Sequence, residues 1–544
     1  MKSKVIVKML ASVFSAVLLV ASLVGIVFFA YLLHFLSGDN LGNMSEKVSV
    51  GIQNATLACF STPKIDSGLS NDEQFGAVKT PITSNVLLGA LGEDQKVSFD
   101  ELEPNTASVN LHTSENGGSL VTGSTSDSAS TVFRGVFKTD NLPFAAIGAR
   151  FSSTPDGDLR GLTANGCSTP ALDFWFIGGS THVQSTTSVL VANANSTPAQ
   201  IELTVWGAKR GANSKVAKLE DGSLRYGAGK TVGVNAHSQI AINLASGVQD
   251  EDVVAIHLKS NFSPVAATVY THEMDKLTPK GLDFLAANTV TDRVYLPGVE
   301  VHKDSHFSSN IQLLAPEIHE GKKTVTINCS KANASGVLKT KTVDLVASEI
   351  QTIDTDFLDD GIWNIEVVSS NNDKSILLGT SKVTRISDDN SQEYAYIPSA
   401  VPSHGLFGVV KIPNSGFNPQ IVIATVDNGD GGNNANSAYT MTFFNSAGAL
   451  IGSVQVQLGR TPSSFSVDSL AQMLSDSLGN ANSKEELKNS ISFVSLQPVD
   501  SKTDTQKVVG NIIYNEEVGL TAHGFSSLEK KSLVYNFTTK MLLK

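Results

Sequence analysis

The stretch D-F-W-F-I-G-G-S-T-H, residues 173–182, gathers the residue types of a hydrolase. Ser180 sits between small residues, His182 follows it by two positions, and Asp173 precedes it. A serine deprotonated by a histidine that a carboxylate orients would attack an acyl carbon. A nucleophile elbow needs G-x-S-x-G between a strand and a helix, because the tight turn admits only small flanks. Here His182 stands where the last glycine must be, and V-Q-S-T-T-S-V-L-V follows, which alternates as a strand does. Leu296-Pro297-Gly298 and Ile397-Pro398-Ser399 repeat the strand end without the Gly-Gly-Ser. A repeated strand end accounts for all three segments, so no catalytic residue is assigned and the chain is read as no enzyme. Phe174 and Phe176 then face one side of a sheet and Trp175 the other.

Other clusters read the same way. His302, Asp304 and His306 in V-H-K-D-S-H have no third fixed ligand in view and read as a solvated loop. The loop D-N-G-D-G-G-N-N, 427–434, offers Asp427 and Asp430 to calcium. It lacks the 1-3-5 oxygen spacing and a closing glutamate, and its residues are those of a hairpin turn. No metal and no cofactor is expected. Trp175, Trp206 and Trp363 would stack on sugars if exposed, but each lies in an alternating segment and is expected in a core.

The elements that carry these residues are mostly strands. Charged residues make up 17% of the chain, below the roughly 25% of an average soluble protein. Ser, Thr, Asn and Gly fill the difference, a mix that suits strands and turns. Net charge is −12, and no basic cluster lies outside the N-terminus, so nucleic acid is not expected as a partner. Residues 9–36 contain no Asp, Glu, Lys or Arg, and Lys2, Lys4 and Lys8 precede them. A stretch longer than the roughly 20 residues a bilayer needs, with positive charge before it, predicts a transmembrane helix. The expected topology is a cytoplasmic tail at 1–8, a span at 9–36, and the bulk of the chain extracytoplasmic. A signal peptide would have a shorter apolar core and a clear cleavage site.

Outside the membrane disulfides persist. Cys59, Cys167 and Cys329 lack zinc-ligand spacing. Cys329 lies in the alternating T-V-T-I-N-C-S and reads as a small buried hydrophobe, which leaves Cys59 to pair with Cys167.

Internal repetition sets the architecture. Aromatic-rich strands ending at Gly or Pro begin at 174 (F-W-F-I-G-G), 294 (V-Y-L-P-G-V) and 395 (A-Y-I-P-S-A). Each is followed by S-V-L-V-A-N, N-I-Q-L-L-A or Q-I-V-I-A-T, and then by I-E-L-T-V-W, T-V-T-I-N-C or Y-T-M-T-F-F. A repeat on the order of 100 residues with several short strands suits an immunoglobulin-like sandwich. The expectation is all-β: an irregular β-rich membrane-proximal domain at 37–172, then three tandem sandwiches at 173–292, 293–392 and 393–544. The last would carry a helical insertion near 467–487, capped by Asp468.

G-D-L-R-G-L-T-A-N-G-C (157–167), D-F-W-F-I-G-G-S-T and L-T-P-K-G-L-D-F (277–284) together resemble an actinobacterial family of membrane-anchored extracytoplasmic proteins of unknown function. In that family one cysteine lies near a proline after the span, as Cys59 does in A-C-F-S-T-P. Another follows the G-D-L-R-G-L element, as Cys167 does. The resemblance implies a class and a cysteine pair, and no activity. The expected function is a non-catalytic, membrane-tethered scaffold or adaptor of the cell envelope that holds a protein partner. The alternative is binding of a glycan or other envelope polymer.

Overall fold

The structure, a computed structural model, describes residues 47–50, 54–62, 83–91, 96–102, 112–113, 120–127, 132–138, 145–208 and 231–535. Short loops within the last range are excepted, the longest being 427–436. The chain divides into two compact units, 1–51 with 531–544, and 52–530. In the first, Lys47–Val50 pairs antiparallel with Ser532–Tyr535. The tail at 1–8 and the apolar stretch at 9–36 lie outside the described residues. Among the described residues no helix is long and apolar enough to cross a membrane.

The second unit is all-β, with eight antiparallel sheets grouped in pairs. The clearest pair has eight strands: Asp173–Ile177, Ser185–Asn193, Ala199–Gly207, Val232–Val234, Ser238–Asn243, Val254–Asn261, Ala266–Asp275 and Thr278–Leu285. Strands one, six, three and four form one sheet in that order, and five, two, seven and eight form the other. Phe174, Phe176, Val189, Val191, Ile256 and Val269 from both sheets share one core, so this is a sandwich. Valine and isoleucine at alternate positions turn one face of each strand inward.

The same order recurs from Arg293–Val301 to Gln392–Ile397, and from Leu406–Val409 to Gly519–Gly524. It also recurs from Asn54–Cys59 to Gly161–Gly166. There, however, the short His112–Thr113 strand joins the fifth strand, Leu120–Asp127, instead of the third. The N-terminal domain therefore repeats the pattern, and four sandwiches stand where three and an irregular domain were expected. Two finer expectations are corrected. In immunoglobulin order the first strand lies beside the second and the seventh beside the sixth. Here the first lies beside the sixth and the seventh beside the second. The segment at 395 does not open the last sandwich: Gln392–Ile397 is the eighth strand of the one before, paired with Leu378–Ile386. It resembles the first strands because it too is buried on both faces, and apolar character reports burial rather than topological place.

The helical insertion lies between the fifth and sixth strands of the last sandwich as Val467–Ser477 and Lys484–Ser490. The cap is Ser466, whose side chain accepts from Ser469 N–H at 3.1 Å, and not Asp468. Leu470, Ala471 and Leu474 bury one face of the helix.

The four sandwiches close into a ring. Trp175, Ile177 and Trp206 on the back of one sheet pack on Leu314 and Leu378 of the next sandwich. Tyr295 packs likewise on Ala424, Val426 and Val509. Ala58, Phe60 and Leu102 of the N-terminal sandwich pack on Leu190, Ala192 and Ala266. The last interface joins the fourth sandwich back to the first, with Phe493, Tyr439 and Leu406 in one cluster with Leu87, Ile147 and Phe151. At the centre the eighth strands meet in turn, Gly161–Gly166, Thr278–Leu285, Gln392–Ile397, Gly519–Gly524, and back to the first.

Candidate functional site

The opening stretch is built as a strand end. Ser180 is 7% exposed, and its Oγ donates to the Glu251 carbonyl at 3.0 Å and accepts from His182 N–H at 3.1 Å. Its own N–H donates to Thr187 Oγ1 at 2.9 Å. The His182 ring turns elsewhere: Nδ1 lies 2.8 Å from Asp250, and Nε2 pairs with Asp252. Burial lowers its pKa, but the hydrogen bonds to Asp252 and Asp250 outweigh it, and the net shift is upward. An imidazole held between two carboxylates in this way is an ion-pair partner. Asp173 pairs with His257 Nε2 at 2.9 Å. Serine, histidine and aspartate thus belong to three separate arrangements. Trp175 stacks on His257 at 3.7 Å and on Trp206 at 5.3 Å between ring centroids, in the seam between two sandwiches.

Cys59 and Cys167 form a disulfide, which ties the first strand of the N-terminal sandwich to the end of its eighth. Cys329 is a buried free thiol whose pKa burial pushes up to about 12. His302 pairs with Glu300 at 2.7 Å, and Asp304 accepts from His306 N–H at 2.9 Å. Among the described residues no group of three or more His, Cys, Asp or Glu is placed to hold a metal. Asp427 and Asp430 lie outside the described residues.

Sequence reasoning missed the polar hub at the ring's centre. Asp283, 1% exposed, accepts from Tyr396 N–H at 2.7 Å and from Thr521 Oγ1 at 3.0 Å. Thr521 Oγ1 in turn accepts from Ala164 N–H at 3.0 Å. One carboxyl thus links the eighth strands of all four sandwiches. Burial raises its pKa to about 8. Glycine lets these strands approach: a Cβ on Gly519 would lie 2.5 Å from Leu162 N. Gly281, at φ +111°, would place one 3.0 Å from Tyr394 N. The available signal was G-L-T-A at 161 and 519 beside G-L-D-F at 281.

An open cleft of about 410 Å³ lies at the end of the N-terminal sandwich. Ala55, Thr56 and Arg134 form one wall, and Thr169, Pro170, Asn195 and Pro264 another. Ser526 and Ser527 of the fourth sandwich complete it beside Ala145 and Ala146.

Among curated proteins no sequence matches the chain. A crystal structure of a tetra-tandem repeat in the extending region of a large adhesion protein is 10% identical, covering 87% of this chain and 99% of that one. Its TM-score is 0.09, and the likeness carries no argument. A model described as a family of unknown function, DUF5719, matches residues 121–464, which reach from the N-terminal sandwich into the fourth; the chain belongs to that family.

Proposed function

We propose that the protein is a non-catalytic adaptor of the cell envelope: a rigid β-sandwich ring, tethered to the membrane by residues 9–36, that holds a protein partner outside the cytoplasm. The observation that carries this reading is the ring itself. Every seam between sandwiches is filled by apolar side chains, as in the Trp175, Trp206 and Leu314 cluster, which gives a stiff frame with loops and edges left for contacts. The wiring of Ser180 into backbone carbonyls and amides supports the non-catalytic part. The charge-free stretch behind Lys2, Lys4 and Lys8 supports the tether.

The test is crosslinking and affinity capture of the full chain from native membranes, with quantitative identification of partners. A reproducible partner is expected, retained by Ser180→Ala. No fluorophosphonate labelling of Ser180 is expected. By contrast, Phe176→Ala removes a ring that is 0% exposed and costs about 3–5 kcal/mol of stability. Covalent labelling at Ser180, or capture of polymeric glycan with no protein partner, would sink the reading.

A further inference from the structure

We propose that the short ladder between Lys47–Val50 and Ser532–Tyr535 is a clasp. It does for the closing seam of the ring what a peptide linker does for the other three, and so keeps the first and fourth sandwiches together.

The other seams are joined by the chain itself. Linkers 167–172, 286–292 and 398–405 each run from an eighth strand to the next first strand. Each is stitched to the sandwiches on both sides. Ser168 exchanges two backbone bonds with Ala58, both 2.9 Å, and Ala171 exchanges two with Val265, at 2.9 and 3.0 Å. Asn288 N–H donates to the Trp175 carbonyl at 2.7 Å, and Leu377 N–H to the Thr291 carbonyl at 2.8 Å. Ala400 N–H donates to the Tyr295 carbonyl at 2.8 Å, and Ser403 exchanges two bonds with Val508, at 3.0 and 2.7 Å. A neighbour on so short a leash stays at a roughly millimolar effective concentration when its seam loosens. The fourth and first sandwiches are not consecutive in sequence, so no peptide link of this kind joins them.

The two flanks of the chain supply one. After Gly519–Gly524, Ser526 and Ser527 pair with Phe407 and Leu406. Leu528, 4% exposed, then donates its N–H to the Gly405 carbonyl at 2.8 Å. The fourth sandwich thus holds the chain as far as Leu528, and only 529–531 separate Leu528 from Ser532. On the other flank only 51–53 separate Val50 from Asn54, which opens the first strand of the first sandwich opposite Lys138. These two roots are neighbours, since Ala55 and Thr56 line the same cleft as Ser526 and Ser527. Between them Val50 stands opposite Ser532, Ser49 opposite Leu533, Val48 opposite Val534 and Lys47 opposite Tyr535.

Each three-residue connection spans at most about 14 Å, so the ladder cannot persist once the roots part by more than roughly 34 Å. Nor can so few residue pairs draw the flanks of a long chain together by themselves. An isolated two-stranded ladder is marginal in water, and a long loop adds to the entropy it must overcome. The ladder forms because the apolar seam of Phe493, Tyr439, Leu87 and Phe151 brings the roots to one place. Linkage makes the help mutual: what the closed seam adds to the ladder, the ladder adds to the closed seam.

Disulfide trapping in the full chain tests the clasp, in a Cys329→Ser background that leaves only the native pair. Val48→Cys with Val534→Cys, and Ser49→Cys with Leu533→Cys, each set two thiols directly opposite, one pair on each face of the ladder. Mild oxidation should link both pairs within one chain. Val48→Cys with Leu533→Cys point to opposite faces and should link at least about tenfold less. The linked proteins should unfold about 1–3 °C above the Cys329→Ser parent, with the native disulfide intact in both. Leu533→Pro with Val534→Pro removes whichever of the two N–H groups faces the partner strand, and should lower the unfolding temperature by a similar amount, as should deletion of 531–544. Failure of both opposite pairs to link overturns the proposal. So do links found between two chains, which would mean that copies exchange these strands. Linking with an unchanged unfolding temperature in every variant overturns it too, because the ladder would then follow closure without supporting it.

Discussion

At the residue scale two buried titratable groups near the ring's axis pull in opposite directions with pH. Burial raises Asp283 from 3.8 to about 8 and lowers His523 from 6.5 to about 4. The folded state holds the Asp283 proton longer than the unfolded chain does. Its contribution is therefore full below pH 3.8 and is lost as pH rises to about 8. The folded state resists protonating His523, so that contribution is full above 6.5 and is lost as pH falls toward 4. Between 4 and 6.5 the two slopes cancel, and from 6.5 to 8 Asp283 acts alone. Stability should fall by about 2 kcal/mol across that upper window, at about 1.4 kcal/mol per pKa unit. Asp283→Asn keeps one acceptor for Tyr396 N–H and cannot ionise, so its stability should be flat there. Denaturant midpoints at pH 6.5 and 8 decide the matter; an equal fall in both proteins would show that Asp283 is not the group responsible.

At the element scale the disulfide and a glycine form one unit. Cys167 N–H donates to the Gly148 carbonyl at 2.8 Å, and a Cβ on Gly148 would lie 2.8 Å from Cys167 Sγ and 2.2 Å from Leu88 Cδ2. The bond closes a separation of 108 residues, for which the chain-entropy relation gives about 4.7 kcal/mol. Cys59→Ser with Cys167→Ser should lower stability by an amount approaching that figure, while Cys329→Ser, within an intact core, should leave the disulfide formed. Peptide mapping of that variant without reductant checks the second outcome, and loss of the Cys59–Cys167 link would contradict it. Strand positions were legible because alternation is local: S-V-L-V-A-N, N-I-Q-L-L-A and Q-I-V-I-A-T all became second strands. Strand order was not legible, because whether the first strand lies beside the second or the sixth is settled by partners far along the chain. The Asp283 hub was hidden for the same reason: its donors lie on Tyr396 and Thr521, and Ala164 joins it through Thr521. The cleft was hidden because its walls come from segments as far apart in the chain as Thr56, Pro264 and Ser527.

At the scale of the whole 52–530 unit, closure changes how the protein must unfold. Four sandwiches on a string would each melt alone, since each is near the size of an independent domain. Here each one shares apolar clusters with two neighbours, and the fourth shares its core with the first through Phe493, Leu87 and Phe151. Losing any sandwich strips two interfaces from those that remain, so unfolding should be a single transition whose calorimetric and van't Hoff enthalpies agree. Gly519→Ala tests the closure at one atom. The added Cβ would stand 2.5 Å from Leu162 N, a backbone atom of the neighbouring first sandwich that no rotamer change can move. Overpacking of this kind costs about 1–3 kcal/mol. If the ring is one cooperative body, the whole transition shifts down together, and amide exchange quickens as much in the sandwich of Trp175 as in that of Phe493. If exchange quickens only around Gly519 and Leu162 while the second and third sandwiches keep their protection, the sandwiches are independent and the closed frame is not what gives the molecule its rigidity.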